Sequence, residues 1–226
     1  MKYPNYKDYK TIYEKYINRK NMMEMMDLAG TKSAYVGQSF LDLCCGDGAA
    51  SREAIIRGAV DCLMVDQEKD MVASDLIPGK DGIEFVNYSI EDFLCMRDKM
   101  PNLKQLGYDI VFCRQGINYW HEPIYVFELA KWMNPGGVFI FNTFNTCPTR
   151  EPMVKEYEID SVHFAEVSYL VGERTIHHVQ IREGYPPHLT KFKWVIEEEF
   201  KDGLDGTFDY EIRRKNNTDI YICRKK

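Results

Sequence analysis

The chain alternates between short apolar runs and longer segments in which apolar positions recur every three or four residues. Short apolar runs predict buried strands, and the longer periodic segments predict amphipathic helices. Strands are expected near residues 40–43, 61–65, 84–86, 110–112 and 138–142. Helices are expected near residues 8–28, 49–57, 69–74, 91–98 and 124–133. This alternation predicts an α/β fold whose parallel sheet carries helices on both faces.

The pattern changes after Thr146 to apolar and polar residues that alternate one by one. Residues 157–170 predict a strand, Gly172 and Glu173 a turn, and residues 175–182 a returning strand. A stretch at 188–196 is a candidate extension, followed by a short helix at 197–201 and a last pair of strands at 208–213 and 219–223. We therefore expect an antiparallel β insert over residues 155–193 that follows the fifth strand.

The first predicted strand runs into a loop that contains Gly46 and Gly48 and then into a helix. Asp66 follows Gly48 by 18 positions, at the tip of the second predicted strand. Glycines let a backbone approach a ligand closely, and a carboxylate at the end of the next strand is placed to accept both hydroxyls of a ribose. The layout predicts a nucleoside site, although a two-glycine loop by itself is as compatible with an ordinary turn.

Two other types of nucleotide-binding motif match the sequence of this loop less well. No Gly-Lys-Ser/Thr sequence ends it, as a phosphate-binding loop requires, and the three-glycine dinucleotide fingerprint is broken at both outer positions. The predicted ligand is therefore a nucleoside without a pyrophosphate.

Residues 41–48 resemble the first motif of class I S-adenosylmethionine-dependent methyltransferases. The resemblance implies that Asp66 binds the ribose, that Gly46 and Gly48 allow close approach, and that Asp42 anchors the loop or the cofactor's ammonium through water. Cys44 stands where the family usually has its first glycine. Its carbonyl remains able to accept from the cofactor's amine, and we expect a φ angle that a side chain tolerates.

The resemblance extends through five further segments in the same order, at 66–71, 85–93, 108–113, 133–141 and 218–223. It implies a Rossmann-like, doubly wound sheet of seven strands, mostly parallel with an antiparallel last strand. Ser89 stands where the family usually has aspartate, which leaves the Ile90 amide as the better adenine contact. The implied cofactor is S-adenosyl-L-methionine, with S-adenosyl-L-homocysteine as product. The implied cofactor-binding residues are Tyr13, Asp42, Cys44, Gly46, Gly48, Asp66, Gln67, Met71, Ser89, Ile90, Glu91, Cys113 and Arg114.

The candidate chemistry lies in residues 114–123, which leave the carboxyl end of the fourth predicted strand, where open α/β sheets bind ligands. Methyl transfer is an in-line displacement that depends mainly on positioning, with a base needed only to remove a proton from the acceptor. We predict Tyr119 and His121 as catalytic residues. Gln115, Asn118, Tyr119 and Trp120 are predicted to bind the substrate. The alternative is that Tyr119 and Trp120 pack against the following helix and that His121 only precedes it.

Two segments flank this core. Tyrosines recur every three or four residues through the first 16 positions, and by the resemblance residues 1–30 form a helical lid in which Tyr13 touches the cofactor. The alternative is that this stripe packs on the body. The insert resembles that of small-molecule members, notably sugar-amine N-methyltransferases, where it forms a platform over the active site or a subunit interface. An insert that only covers a sheet edge is equally compatible with the sequence.

Composition limits the remaining choices. The 226 residues, 45% of them hydrophobic, are enough for one domain over 1–226. A net charge of −6 leaves no positive excess for nucleic acid, which favours a small-molecule or protein acceptor; of these we expect a small molecule. No apolar run is long enough to span a membrane and the first residues lack a signal-peptide core, so we expect a cytoplasmic protein. For its oligomeric state we expect a monomer or a homodimer. Seven cysteines without a C-x-x-C pair predict neither disulfides nor a metal site.

Two alternatives stay open at this point. A cofactor-binding protein without catalysis has the same loop and carboxylate as the enzyme. A nucleotide-linked oxidoreductase is the poorer interpretation because the dinucleotide fingerprint is incomplete.

Overall fold

The computed structural model describes residues 19–69, 72, 82–97, 107–151, 153–159, 162–171, 174–181 and 193–226. The helices are α1 (Arg19–Asp27), α2 (Ala49–Ile56), α3 (Ile90–Cys95), α4 (Pro123–Lys131) and α5 (Glu198–Thr207). The strands are β1 (Ser39–Leu43), β2 (Asp61–Asp66), β3 (Ile83–Asn87), β4 (Tyr108–Cys113), β5 (Met133–Phe144), β6 (Met153–Ile159), β7 (Val162–Val171), β8 (Arg174–Ile181), β9 (Phe208–Lys215) and β10 (Thr218–Lys225). Short 3₁₀ turns span Lys32–Tyr35 and Ile117–Tyr119.

The main sheet has seven strands in the order β3-β2-β1-β4-β5-β10-β9. Strands β1 to β5 are parallel, and β10 runs antiparallel to both β5 and β9. The predicted seven-stranded, mostly parallel sheet is thereby confirmed. The strand order reverses between β1 and β4, so the carboxyl ends of these two strands flank the crevice in which doubly wound folds bind ligands.

Residues of opposite parity in the central strands enter two separate cores, as expected when a sheet is covered on both faces. Phe40 and Phe112 face the side where α1 and α2 pack. Leu41 and Val111 face the side of α3, α4 and α5. From α1, Met22, Met25 and Met26 are buried. The N-terminal helix therefore forms part of the sheet's cover next to the crevice.

Helix α5 is longer than the sequence predicts. The sequence predicts a short helix near residues 197–201, yet α5 continues to Thr207 although it contains Gly203 and Gly206, which disfavour a helix. A Cβ atom at Gly203 would lie 3.4 Å from the carbonyl oxygen of Pro123, an ordinary van der Waals distance, so α5 packs against the start of α4 at this point.

The insert is a separate antiparallel sheet of three strands in the order β6-β7-β8. The single strand predicted over 157–170 is wrong, because Ile159 pairs with Val162 and the chain reverses between them. The turn predicted at Gly172 and Glu173 lies outside the described residues; on either side of it, Val171 pairs with Arg174. Of the proposed extension at 188–196, only residues 193–196 are described, and they form no strand.

Trp194 connects the insert to the body. Its ring lies 5.1 Å from that of Phe144 on β5 and 4.9 Å from that of Tyr169 on β7. The insert therefore packs where β5 leaves the main sheet.

Several predictions fall outside the described residues: Tyr13 and the other N-terminal tyrosines, Met71, and most of the helix expected at 69–74. None of the described helices is long and apolar enough to cross a membrane. The described residues also include no cluster of three or more His, Cys, Asp or Glu suited to a metal ion.

Candidate functional site

The loop between β1 and α2 turns the chain with three left-handed residues placed alternately. The φ angles are +54° at Cys44, +54° at Gly46 and +74° at Gly48. The Gly48 amide donates to the Cys45 carbonyl at 2.9 Å, which closes the turn. Glycine adopts this region without steric cost, so the two glycines fit the bend that the sequence predicts.

Cys44 does not have the φ angle that we expected for a residue with a side chain. Its φ of +54° is in the left-handed region, at a cost of about 1 kcal/mol for a residue with a Cβ atom. A Cβ atom at Gly116 would lie 2.4 Å from Cys44 Sγ and 2.7 Å from Cys113 Sγ. The loop that follows β4 can therefore approach Cys44 only because residue 116 is glycine, a requirement that the sequence did not reveal.

Asp66 is tied to the glycine loop at the end of β2. Its Oδ2 accepts from the Gly46 amide and its Oδ1 from the Glu68 amide, both at 2.9 Å. Burial raises the pKa of Asp66, while these backbone amides act in the opposite direction. Asn87 on β3 further donates to the carbonyls of Asp66 and Gln67. The predicted ribose carboxylate is therefore fixed beside the loop, with Asn87 as a support that sequence reasoning missed.

Asp42 is a buried carboxylate, 2% exposed, beneath the same loop. Its Oδ2 accepts from Ser51 Oγ at 2.7 Å and from the Ser51 amide at 3.2 Å, in the first turn of α2. Burial raises the pKa of Asp42 to about 7; the Ser51 bonds lower it, and the nearby charges of Asp47 and Asp66 raise it. Asp42 thus anchors α2 to β1 through Ser51, which the sequence analysis did not identify.

A crevice of about 400 Å³, part of it open solvent, lies at the reversal of strand order. It is lined by Met22, Asp42, Cys44, Cys45, Asp47, Ala49, Ala50, Phe112, Arg114 and Gln115. Four of the predicted site residues therefore meet here, namely Asp42, Cys44, Arg114 and Gln115. Met22 of α1 also lines the crevice. The sequence had instead predicted that Tyr13 would be the residue of this N-terminal region that contacts the cofactor.

Gln115 occupies the second strained position in the crevice. Its φ is +59°, and its amide donates to Asn142 Oδ1 on β5 at 2.9 Å. Asn142 is itself buried. This bond holds the turn after β4 and leaves the exposed Gln115 side chain at the mouth of the crevice.

Asn118 is an internal tether through its amide nitrogen, and its predicted role in substrate binding stays a prediction. Its Nδ2 donates to Thr143 Oγ1 at 2.9 Å and to the carbonyls of Lys193 and Trp194. The side chain is fully buried, and its Oδ1 has no hydrogen-bond partner. The amide nitrogen thus joins the loop after β4 to the segment that follows the insert.

Trp120 is a core residue, and this burial disfavours its predicted role in substrate binding. It is 1% exposed, and its ring packs against those of Phe139 and Phe200 at 6.1 and 6.4 Å. The 3₁₀ turn at Ile117–Tyr119 rotates the chain, so Trp120 points into the sheet while Tyr119 stays half-buried.

Neither Tyr119 nor His121 is among the described residues that line the crevice. His121 lies just before α4, where burial and the charge of Lys193 lower its pKa, against the opposing charges of Glu197, Glu122 and Glu91. The Nε1 of Trp120 and the Nδ1 of His121 are buried without a partner, as is the Oδ1 of Asn118. The catalytic roles of Tyr119 and His121 remain predictions.

The loop after β3 carries the residues predicted to contact the adenine. Ser89 Oγ accepts from the Asp92 amide at 3.1 Å and is the N-cap of α3. Its hydroxyl is therefore engaged in capping, and its predicted contact with the cofactor stays a prediction. The Ile90 side chain is buried, but its amide opens the helix and has no intrahelical partner, while Glu91 is half-buried beside it.

The family model described as "Conserved hypothetical protein 95" matches residues 19–150 of this chain, which include the whole of the loop, Asp66 and the segment after β4. The chain belongs to this conserved hypothetical protein 95 family. Its matched region covers β1 to β5 and thus every described candidate site residue.

Solved structures share the fold of this family member along its whole length. DesVI of Streptomyces venezuelae matches with a TM-score of 0.65 at 14% identity, over 100% of both chains. CalS10, an amino pentose methyltransferase from Micromonospora echinaspora in a SAM-bound structure, matches with a TM-score of 0.59 at 14% identity, over 96% of each chain. The predicted resemblance to S-adenosylmethionine-dependent methyltransferases is confirmed at the level of the fold.

A curated protein is similar in sequence to this member of the family. The malonyl-[acyl-carrier protein] O-methyltransferase of Halalkalibacterium halodurans is 23% identical over 175 residues. The match covers 76% of this chain and 55% of the relative, so the chain spans about half the length of the curated protein that it matches.

Proposed function

We propose that this protein transfers a methyl group from S-adenosylmethionine to a nitrogen or oxygen atom of a small-molecule acceptor. The observation that carries the proposal is the link between the left-handed loop and Asp66. The Gly46 amide donates to Asp66 Oδ2 at 2.9 Å where the strand order of the sheet reverses. This hydrogen bond holds a half-buried carboxylate beside a loop whose backbone a ligand can approach closely. Both lie at the position where doubly wound folds bind nucleosides.

The residues present fit an adenosyl cofactor. Each Asp66 oxygen accepts one amide and keeps lone pairs for a ribose hydroxyl. The Ile90 amide is available for the adenine, and the loop at 44–48 supports the methionine part. When bound, S-adenosylmethionine supplies a sulfonium methyl group for in-line displacement. The protein's task is then to hold the acceptor atom in line and to keep water out.

The acceptor side is proposed to involve Gln115, Tyr119 and His121. Gln115 stands at the crevice mouth, and the segment 118–121 contains three buried polar atoms without partners. Since buried polar atoms are almost always hydrogen-bonded, a bound ligand or water is the expected partner. The lowered pKa of His121 keeps its imidazole neutral near pH 7, the state that a general base requires.

The acceptor class follows from what the relatives are named for. CalS10 is named for an amino pentose and the curated relative for O-methyl transfer, and both nitrogen and oxygen acceptors therefore belong to the proposal. We further propose that nucleic acid is not the substrate, because the net charge is −6. A cytoplasmic monomer or homodimer remains part of this proposal.

The proposal is tested by calorimetric titration with S-adenosylmethionine and S-adenosylhomocysteine. We expect binding by the wild-type protein and a loss of about 100-fold in Asp66→Ala, because a half-buried carboxylate that accepts from two ribose hydroxyls contributes about 3 kcal/mol. Asp61→Ala is the matched control, since Asp61 is exposed at the opposite end of the same strand. Wild-type protein that binds neither compound would refute the proposal.

Turnover distinguishes the enzyme from a protein that only binds the cofactor. Amines, phenols and carboxylic acids are screened as acceptors with methyl-labelled donor. If the wild-type protein transfers the label and Tyr119→Phe or His121→Gln reduces this transfer, the result supports catalysis by these residues. Binding of donor without transfer to any acceptor favours the non-catalytic alternative.

A further inference from the structure

Strand β9 is the outermost strand of the main sheet, at the end opposite β3. It pairs with β10 on one side, and no strand in the described part of the chain pairs with its other side. From Asp209 onward its residues are exposed, apart from the half-buried Tyr210. The outer amides and carbonyls of β9 are therefore open to a further strand, and such an edge is a template for pairing with another chain.

The charges of β9 are ordered along the strand. Its first half carries the acids Asp209 and Glu211, and its second half carries the bases Arg213 and Lys215 at alternate positions. Since side chains alternate across a strand, these four residues point to the same face of the sheet. The bond of 2.9 Å between Arg213 and Glu211 agrees with this arrangement. One face of β9 therefore changes from acidic to basic at Ile212.

We propose that β9 pairs antiparallel with β9 of a second copy of this chain, with the two-fold axis at Ile212. An axis perpendicular to the sheet keeps the same face of β9 on the same side in both copies, so the contact is isologous. In this register Asp209 lies opposite Lys215 of the second copy, and Glu211 lies opposite Arg213 of the second copy. Each acid on this face then meets a base.

The other face of β9 is also complementary to itself in this register. Ile212, which is 45% exposed, meets Ile212 of the second copy, and Tyr210 lies opposite Arg214, a ring opposite a guanidinium. A move of the axis by one residue in either direction would set Glu211 or Arg213 opposite its own copy, where like charges repel. The charges therefore select a single register.

The alternative for these charges is protection of the edge. Charged residues on an edge strand commonly keep other chains from pairing with it. Charges of one sign would repel a second copy along the whole strand. An acidic half followed by a basic half instead attracts an antiparallel second copy, and this order favours pairing over protection.

The ion pairs that β9 makes within one copy do not prevent this pairing. They are Arg213 with Glu211, Lys215 with Glu24, Lys226 with Asp209, and Arg214 with Asp219. All of these side chains except that of Asp219 are exposed, and ion pairs between exposed side chains contribute little. They can therefore be exchanged for partners on the second copy, while Arg214 keeps its bond to Asp219.

The proposed dimer joins two main sheets into one continuous sheet. Strands β5 and β10 separate β9 from the crevice at the ends of β1 and β4. Pairing through β9 therefore leaves both crevices open. The inference goes beyond the proposed function and does not depend on it, since self-association is measured without cofactor.

Sedimentation velocity over a concentration series tests the pairing. We expect the wild-type protein to convert from monomer to dimer as its concentration rises, and less readily at high salt, because salt screens exposed charges. Glu211→Arg and Arg213→Glu each set like charges opposite one another, and each should weaken self-association by about tenfold. Glu84→Arg is the matched control and should change nothing, since Glu84 is exposed on β3 at the other edge of the sheet.

An equimolar mixture of the Glu211→Arg and Arg213→Glu proteins tests the register. The introduced arginine of one copy then faces the introduced glutamate of the other, and the unchanged Arg213 of the first faces the unchanged Glu211 of the second. We expect the mixture to dimerise about as strongly as the wild-type protein, although neither variant does so alone. Thermal unfolding of each variant checks that it is folded.

Three results would overturn the inference. The first is wild-type protein that stays monomeric at every concentration. The second is a dimer that both charge reversals leave intact, because it then forms through another surface. The third is a mixture of the two folded variants that does not dimerise, because the strands then do not pair in the register centred on Ile212.

Discussion

Cys44 is the residue at which the loop differs most from an all-glycine turn. Its φ of +54° places a side chain where glycine is favoured, and that side chain fills the space that Gly116 leaves open. The loop after β1 and the loop after β4 thus meet through Cys44 Sγ. The proposed cofactor side and the proposed acceptor side of the crevice meet at this contact.

Gly116→Ala tests this contact. The added Cβ atom would lie 2.4 Å from Cys44 Sγ and 2.7 Å from Cys44 Cβ, so we expect a loss of about 1–3 kcal/mol in the free energy of unfolding. Chemical denaturation measures the loss. In a Cys44→Gly background the same change should cost clearly less, because its closest neighbour is gone.

Gly206→Ala is the matched control for Gly116→Ala in the wild-type and Cys44→Gly backgrounds. No atom lies within 4 Å of a Cβ atom at Gly206 in α5, so this change should be neutral or slightly stabilising. An equal cost for Gly116→Ala with and without the Cys44 side chain would show that the two loops do not meet as described.

At the scale of elements, the turn after β4 connects the main sheet to the insert. Asn118 joins Thr143 on β5 to the carbonyls of Lys193 and Trp194, and the Lys193 amide donates back to the Asn118 carbonyl at 2.8 Å. The Trp194 ring then packs on Phe144 and Tyr169. The end of the insert is therefore held by one buried amide and one aromatic ring.

Asn118→Ala should loosen this junction. It leaves two buried carbonyls without their side-chain donor, and we expect a loss of about 1–3 kcal/mol in the free energy of unfolding together with faster hydrogen exchange at Lys193 and Trp194. Asn145→Ala is the control, because Asn145 is half-exposed and water can replace its bonds to Asn216 and Asp219. Equal effects of the two variants would contradict the role of Asn118 as a tether.

The sequence predicted the elements of the sheet because their signals are local. The apolar run that precedes Gly46 and the apolar run that ends at Asp66 are both recognisable from adjacent residues in the sequence. The structure forms a strand at each of them, as expected. The burial of Asn118 and Trp120 was not predicted, because a 3₁₀ turn decides how these side chains face the sheet. That choice depends on packing against β5 and α5, which no local pattern encodes.

The supporting residues were missed for the same reason. Ser51, Asn142 and Gly116 act on residues that lie 9, 27 and 72 positions away along the chain, at Asp42, Gln115 and Cys44. Their sequence surroundings show no motif. Only the assembled crevice reveals that each one holds a functional residue in place.

At the scale of the molecule, the reversal of strand order between β1 and β4 gathers these contributions. The loop and Asp42 come from one strand, Arg114 and Gln115 from the next, and Met22 from the helix that covers that face. The family match over residues 19–150 contains all of them. The central claim is that this edge of the sheet binds an adenosyl cofactor through the glycine loop and through Asp66, which lies beside the crevice and is not among the residues that line it.

A crystal structure of the protein with S-adenosylhomocysteine tests that claim most directly. We predict the ligand at the carboxyl ends of β1 and β4, with both ribose hydroxyls on Asp66 and the homocysteine against the loop at 44–48. An empty crevice at saturating ligand, or a ligand bound there with Asp66 turned away from the ribose, would contradict the account.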